Sequence, residues 1–170
     1  PASRAALATH AQPRVYVLGG PDVVGPRVTR ELRRLGSVTR VAAAPDPVQG
    51  AIAFARHRDR DFGWGIVDPG HGLVFASVDR PMAAAVAAPL SARGAYGPLL
   101  LLPAGRLVPP VEAFLLDIQP GYEDDPVRGV YNHGWIVGDD STVPVAVQAQ
   151  IDELLEIVPV DGPSRREPSP

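Results

Sequence analysis

The sequence contains one pattern twice, in which a short apolar strand is followed by a glycine turn and an amphipathic helix. The first copy is Val15 to Leu35 and the second is Gly134 to Leu155. A shift of 119 positions, from Gly19 to Gly138, also aligns the apolar positions of the two helices. Repeated strand–helix units bring successive strands back in the same direction. The repeat therefore predicts a Rossmann-like layered α/β fold, with a mainly parallel sheet and helices on both faces.

Further strand–helix pairs are indicated between the two copies. The segment LLLPAGRLVPPVEAFLL matches VLGGPDVVGPRVTREL at a shift of 83 positions, which pairs Pro26 with Pro109. Proline is tolerated in the first turn of a helix, so we expect helices to begin near both residues. Around the turn signal Asp68-Pro69-Gly70, two apolar runs form either a hairpin or two successive strands.

Composition along the chain indicates three segments. Residues 1–13 are alanine-rich and predict the end of a helix from a preceding repeat. We therefore expect a missing N-terminal part, which would hold any signal sequence. Residues 14–158 carry the strand–helix pattern and predict one α/β domain. Residues 159–170 are rich in proline and predict a disordered tail.

Composition and charge argue against several functional classes. The 170 residues carry a net charge of −3, which disfavours general electrostatic binding of nucleic acid. The apolar runs are far shorter than a membrane span. Cysteine is absent, which excludes disulfides and thiolate metal sites, and the sequence predicts no cofactor. All 16 basic residues are arginine, whose planar guanidinium suits carboxylate and phosphate groups better than lysine does.

Three sequence motifs occur in a specific order. The first is VYVLGGPDVVGPRVTREL, the second is DRPMAAAVAAPLSARGAYGPLLLL, and the third is the strand and helix of the second copy. In the second motif, Asp79 precedes an alanine-rich helix, which is followed by Pro89-Leu90 and by a hydrophobic run that begins at Pro98. This order resembles the cell wall-binding repeat 2 family of Gram-positive surface proteins. The resemblance covers roughly residues 1–158.

The resemblance implies a non-catalytic module that attaches an extracellular protein to an anionic polymer of the bacterial cell wall. Members of the family carry several copies of the repeat, grouped as a pseudo-threefold assembly. The partners implied here are the wall polymer and other repeats, either of the same protein or of a homo-oligomer. An alternative is a homotypic assembly module of a surface protein, without a polymer ligand.

The candidate ligand residues combine guanidinium groups with turns that precede helices. Exposed backbone N–H groups and the helix dipole attract anions at a helix N-terminus, and arginine adds charge and a planar hydrogen-bonding fork. The resemblance adds one aspartate, Asp79, to the candidate ligand residues. The candidates are Gly19, Gly20, Arg27, Arg40, Asp79, Arg80, Arg93 and Arg106. Of the two repeated turns, the first is the preferred anion site because its helix is basic, whereas the helix of the second is acidic.

A competing interpretation comes from the motif IVDPGHG, which looks like the first zinc-binding motif of N-acetylmuramoyl-L-alanine amidases. It offers His71 as a ligand, and His133 lies 62 residues further on, in a plausible position for a second histidine. Hydrolytic zinc needs about three protein ligands and an open position for water. The glutamate that the amidase pattern requires soon after the first histidine is missing, since the next one is Glu112. A zinc-dependent peptidoglycan amidase is therefore the weaker alternative.

Overall fold

The computed structural model describes residues 2–91 and 97–160. The chain divides into two compact units, Pro1–Gly65 and Ile66–Pro170, here called the N-terminal and C-terminal units. The division lies inside the segment 14–158 that the sequence pattern predicts as one domain. Each unit is therefore described by itself.

The N-terminal unit is built on a parallel strand pair. Its elements are α1 (Ala2–Ala8), β1 (Arg14–Val17), α2 (Pro26–Arg33), β2 (Ser37–Arg40), α3 (Pro47–Arg56), β3 (Arg58–Asp59) and β4 (Phe62–Gly63). In the parallel pair, Val15 of β1 lies opposite Val38 of β2. Helix α2 connects these strands, as expected for a strand–helix–strand crossover. Both α2 and α3 begin at a proline, as the sequence pattern predicts for α2.

An aromatic cluster holds the β3–β4 hairpin against β1. The rings of Tyr16 and Phe62 are stacked, with centroids 3.8 Å apart, and the Tyr16 hydroxyl donates a 2.9 Å hydrogen bond to the Asp59 carboxylate. Burial, reinforced by this carboxylate, raises the pKa of Tyr16 above its ordinary value. The hairpin is thus fixed by both apolar and polar contacts.

The C-terminal unit contains a three-stranded parallel sheet flanked by helices. Its helices are α4 (Pro81–Ser91), α5 (Pro109–Asp117) and α6 (Val145–Leu155), and its strands are β5 (Gly72–Ser77), β6 (Leu99–Leu102), β7 (Gly121–Tyr122), β8 (His133–Val137) and β9 (Val158–Pro159). The strand order is β6-β5-β8, and β7 pairs in parallel with β9. This arrangement confirms the predicted α/β fold.

The core of this unit surrounds the central strand β5. Four consecutive residues of that strand, Leu73 to Ala76, have no solvent exposure. Such a continuous apolar run is typical of a parallel strand covered on both faces. Because β5 pairs with β6 and β8, while β4 pairs with β3, the turn at Asp68-Pro69-Gly70 joins successive strands and does not form a hairpin.

The sequence repeat is also a repeat of backbone hydrogen bonds. In the first turn the carbonyl of Gly20 accepts bonds from the N–H groups of Val23 and Val24, at 3.1 and 2.9 Å. In the second turn the carbonyl of Asp139, 119 positions later, accepts from Thr142 and Val143 at 3.0 and 2.9 Å. The two copies therefore build the same connection from strand to helix.

The ends of the chain bear on two further sequence predictions. Helix α1 lies within residues 1–13, where the end of a helix was expected. At the other end, Pro159 is part of β9, and the N–H of Val160 donates a 2.8 Å bond to the Tyr122 carbonyl. The rest of the predicted tail, residues 161–170, lies outside the described residues.

Two glycine substitutions in the N-terminal unit should change stability in opposite directions. A Cβ on Gly20 would lie 2.5 Å from the Ala43 carbonyl oxygen, so Gly20→Ala should lower the free energy of unfolding by about 1–3 kcal/mol. Gly50 lies inside α3 and an added Cβ meets only Ala42, at 3.9 Å. Gly50→Ala should therefore raise the free energy of unfolding by about 0.5–1 kcal/mol.

Urea denaturation monitored by circular dichroism measures both effects. Equal effects of the two substitutions would contradict the close approach of Gly20 to the chain after β2.

Candidate ligand-binding surface

The first strand–helix turn depends on its two glycines. Gly19 has a φ of +102°, a left-handed conformation that other residues rarely adopt. Gly20 is buried and in close contact with the backbone at Ala43. Both glycines were predicted as ligand residues; in the structure Gly19 lies against Val23 of the same turn, and Gly20 lies against the backbone that follows β2. What they supply is the position of the helix that follows.

Arg40, at the end of β2, holds this turn closed from the neighbouring strand. Its guanidinium donates to the Gly19 carbonyl, to the Val24 carbonyl at 2.8 Å and to the Thr29 hydroxyl at 3.1 Å. One half-buried guanidinium therefore satisfies two carbonyl oxygens of the turn that precedes α2 and holds the side chain of Thr29 in the helix. This predicted ligand residue therefore makes three hydrogen bonds within the protein.

Helix α2 presents the main basic surface of the N-terminal unit. Its N-cap is Gly25, which has no side chain to accept hydrogen bonds from the first N–H groups of the helix. The first turn also has no acidic residue. Arg27 approaches Glu31 at 3.5 Å, but both side chains are largely exposed, so the pair contributes little. The exposed cations of this helix and its C-cap are Arg27, Arg30, Arg33 and Arg34. We call these four residues the arginine surface.

Charge is distributed unequally between the two units. The N-terminal unit has ten arginines and five acidic residues, a net charge of +5, whereas the C-terminal unit has six arginines and fourteen acidic residues, a net charge of −8. The overall charge of −3 conceals this difference. A polyanion is therefore attracted to the first unit and repelled by the second.

In the C-terminal unit, the predicted residues Asp79 and Arg80 lie at the carboxyl end of the sheet. They line a cleft of about 390 Å³ together with Gly138, Asp139 and the start of α4. The Asp79 carboxylate accepts a 2.7 Å bond from the N–H of Ala104, in the turn that follows β6. Asp79 thus fixes a neighbouring strand–helix turn, as Arg40 does in the other unit, with the opposite charge.

Asp139 of the second repeated turn is held as a carboxylate. The hydroxyls of Ser141 and Thr142 donate to it at 2.6 and 2.8 Å, and the N–H of Thr142 donates at 3.0 Å. These bonds, led by that of Ser141 and helped by the charge of Arg80, lower the pKa of Asp139 below its ordinary value. A carboxylate that already accepts three hydrogen bonds in this position disfavours an anionic ligand at the second turn.

The remaining predicted arginines, Arg93 and Arg106, both belong to the C-terminal unit by sequence. Arg106 is exposed in the turn after β6, in the acidic C-terminal unit. Arg93 lies outside the described residues. The predicted set is therefore divided between the two units, and only Arg27 belongs to the basic face of α2.

The two histidines of the zinc alternative lie at the starts of adjacent strands. The His133 N–H donates a 2.9 Å bond to the His71 carbonyl, and the His71 ring lies 3.0 Å from the Asp68 carboxylate. Across residues 2–91 and 97–160, no group of three or more histidine, aspartate or glutamate side chains is arranged to hold a metal ion.

Comparison with protein-family models, curated proteins and solved structures finds no match to this chain. None of the helices in the described ranges has the length and apolar character needed to cross a membrane.

The sequence patterns did not single out Asn132, which organises the loop before β8. Its buried side chain accepts bonds from the N–H groups of Gly70 and His71, at 2.9 and 3.0 Å, and donates to the Ile118 carbonyl at 2.7 Å. An asparagine beside a strand carries no local sequence signal for contacts about 60 residues away. The structure alone identifies this role.

Replacing Arg40 should destabilise the first turn more than replacing an exposed arginine. Arg40→Met removes charged donors from the Gly19 and Val24 carbonyls, so the free energy of unfolding should fall by about 1–3 kcal/mol. Arg27→Met changes an exposed side chain, so its effect should stay within about 0.5 kcal/mol. Urea denaturation of both variants makes the comparison, and similar losses would contradict the role of Arg40.

The Asp139 carboxyl should titrate below the ordinary aspartate value of about 3.9. The stabilisation linked to this ionisation is complete above that value and is lost as the pH falls through the lowered pKa of the folded state. Ser141→Ala should raise the midpoint, because it removes the largest contribution. NMR titration of the carboxyl carbon measures the shift, and Asp140→Asn serves as the control. An unchanged midpoint in Ser141→Ala would contradict this assignment.

Proposed function

We propose that this chain is a non-catalytic module that attaches an extracellular bacterial surface protein to an anionic cell-wall polymer. The observation that most supports this proposal is the concentration of arginine in the N-terminal unit, whose net charge is +5. Four of these arginines form the exposed surface on and after α2. Several guanidinium groups on one short helix can bind successive phosphate or carboxylate groups of a linear polymer.

The local geometry supports binding by the arginine surface as a unit. The Gly20 carbonyl closes the turn before α2, and Arg40 holds that turn from the adjacent strand. The helix therefore starts from a fixed position, which limits the entropy lost when a ligand binds. Its first turn also lacks an acidic residue that would compete with an anion.

The order of sequence motifs resembles a family of wall-binding repeats, and the repeated turns favour a modular chain. Other repeats of the same protein, or a second copy of the chain, would supply further binding surfaces. Linked modules of moderate affinity give strong attachment because later binding steps are intramolecular.

Binding to purified cell walls tests the proposal. Walls that retain their anionic polymers should bind the protein, and acid extraction of those polymers should remove most of the binding. Substituting Arg27, Arg30 and Arg34 together by glutamine should weaken binding about tenfold or more, since each charged contact at an exposed site contributes modestly. Increasing salt should weaken the wild-type interaction as well.

A matched control places the same charge change elsewhere in the N-terminal unit. Arg4, Arg58 and Arg60 are exposed and lie outside α2, so their joint substitution by glutamine should cost much less affinity. Retained binding to extracted walls would contradict an anionic polymer as the ligand. Equal losses in the two triple variants would contradict the arginine surface as its site.

A further inference from the structure

A groove of about 360 Å³ lies beside β8, an edge strand of the sheet in the C-terminal unit. Its volume is within the roughly 300–1,000 Å³ range that small-molecule sites have. We call it the aromatic groove. The side chains used in the argument are Tyr131, His133, Trp135, Asp152, Leu155 and Glu156.

Three rings line the groove from alternate positions of the chain. His133 and Trp135 lie on the same face of β8, with ring centroids 6.2 Å apart. Tyr131 precedes the strand and is 45% exposed. A Cβ on Gly72, in the neighbouring strand, would lie 2.8 Å from the Trp135 ring, so the indole packs directly on backbone there. The three side chains therefore present ring faces and polar atoms to the same groove.

The loop that carries Tyr131 is fixed before any ligand arrives. Asn132 is buried and makes three hydrogen bonds to backbone groups of two other segments. The Tyr131 hydroxyl donates a 3.0 Å bond to the Pro126 carbonyl, which orients its ring. A site with fixed side chains loses less entropy when a ligand binds.

Two carboxylates form the opposite rim, where they are unfavourable for stability. Asp152 and Glu156 are exposed, lie four residues apart and stand at the C-terminal end of α6. The helix dipole disfavours negative charge at that end, and like charges at this spacing repel. The last turn has no basic residue, and among residues 2–91 and 97–160 neither carboxylate forms an ion pair. A ligand that donates hydrogen bonds or brings positive charge would relieve this repulsion.

We propose that the aromatic groove binds a saccharide unit that is neutral or carries an amine. A sugar ring has an apolar C–H face that packs on aromatic rings, and its hydroxyl groups donate hydrogen bonds to carboxylates. An amine would also interact with the carboxylates and with the negative faces of the rings. The carboxylates repel the phosphate groups that the arginine surface would attract. The proposal rests on the proposed function only in taking wall glycan as the source of the sugar.

Tryptophan fluorescence tests this site directly. The chain has two tryptophans, Trp64 in the N-terminal unit and Trp135 in the groove. In a Trp64→Phe background, Trp135 is the only tryptophan and reports binding. The probes are chitotetraose, which is neutral, and its de-N-acetylated form, which carries amines. Both should cause a saturable change in emission, and the amine-bearing form should bind several-fold more tightly.

Variants separate the contributions of the rings and of the carboxylates. Tyr131→Ala should weaken both probes about fivefold or more, whereas Tyr131→Phe, which keeps the ring, should retain most of the affinity. Asp152→Asn with Glu156→Gln should remove the preference for the amine-bearing probe. The matched control, Glu123→Gln with Asp124→Asn, makes the same charge change on an exposed loop and should keep that preference.

The results of this test are independent of the arginine surface. Loss of wall binding in the α2 glutamine variant with retained chitotetraose binding would support two separate sites. No saturable change in Trp135 emission with either probe at millimolar concentration would overturn the proposal. Binding that Tyr131→Ala leaves unchanged would overturn it as well, because the sugar would then not contact the rings.

Discussion

The structure depends on how each strand is joined to the helix that follows it. In both repeated turns one backbone carbonyl, of Gly20 or of Asp139, accepts two N–H groups and reverses the chain. Buried backbone groups need such partners, and a helix placed by them can pack on its own sheet. The same connection occurs in both units, although the residues that reinforce it differ. Arg40 holds the first turn, and Ser141 and Thr142 bind the Asp139 side chain in the second.

The two turns and the units that contain them also differ in charge. The first turn precedes a helix of exposed arginines, while the second contains a carboxylate whose pKa is lowered by its hydrogen bonds. The net charges of +5 and −8 extend the contrast to the whole of each unit. The two proposed ligands follow this contrast in charge: we propose an anionic polymer for the basic surface of α2 and a sugar that donates hydrogen bonds for the aromatic groove, which has an acidic rim.

Sequence patterns predicted the α/β fold because strands and helices each have a characteristic local periodicity of apolar residues. The apolar runs of β1, β5 and β6 and the prolines at the starts of α2 and α5 all lie where the pattern indicated. The sequence did not decide whether the strands on either side of Asp68-Pro69-Gly70 pair with each other, because the choice of partner strand depends on residues far along the chain. Among the candidate site residues, Arg27 lies on the predicted basic face, whereas Arg40 and Asp79 were assigned to a ligand and in the structure bind turns. An arginine at a strand end has the same local signal in either role.

The sequence by itself determined the repeat, the strand–helix alternation and the basic character of the first helix. These follow from residue spacing and from charges that lie on one short segment. Only the tertiary structure decided that the guanidinium of Arg40 bonds the Gly19 turn 21 residues away and that Asn132 joins segments about 60 residues apart. It alone placed Tyr131 and Trp135 beside Asp152 and Glu156. Such contacts arise when strands pair and helices pack, and spacing along the chain does not encode which distant groups then meet.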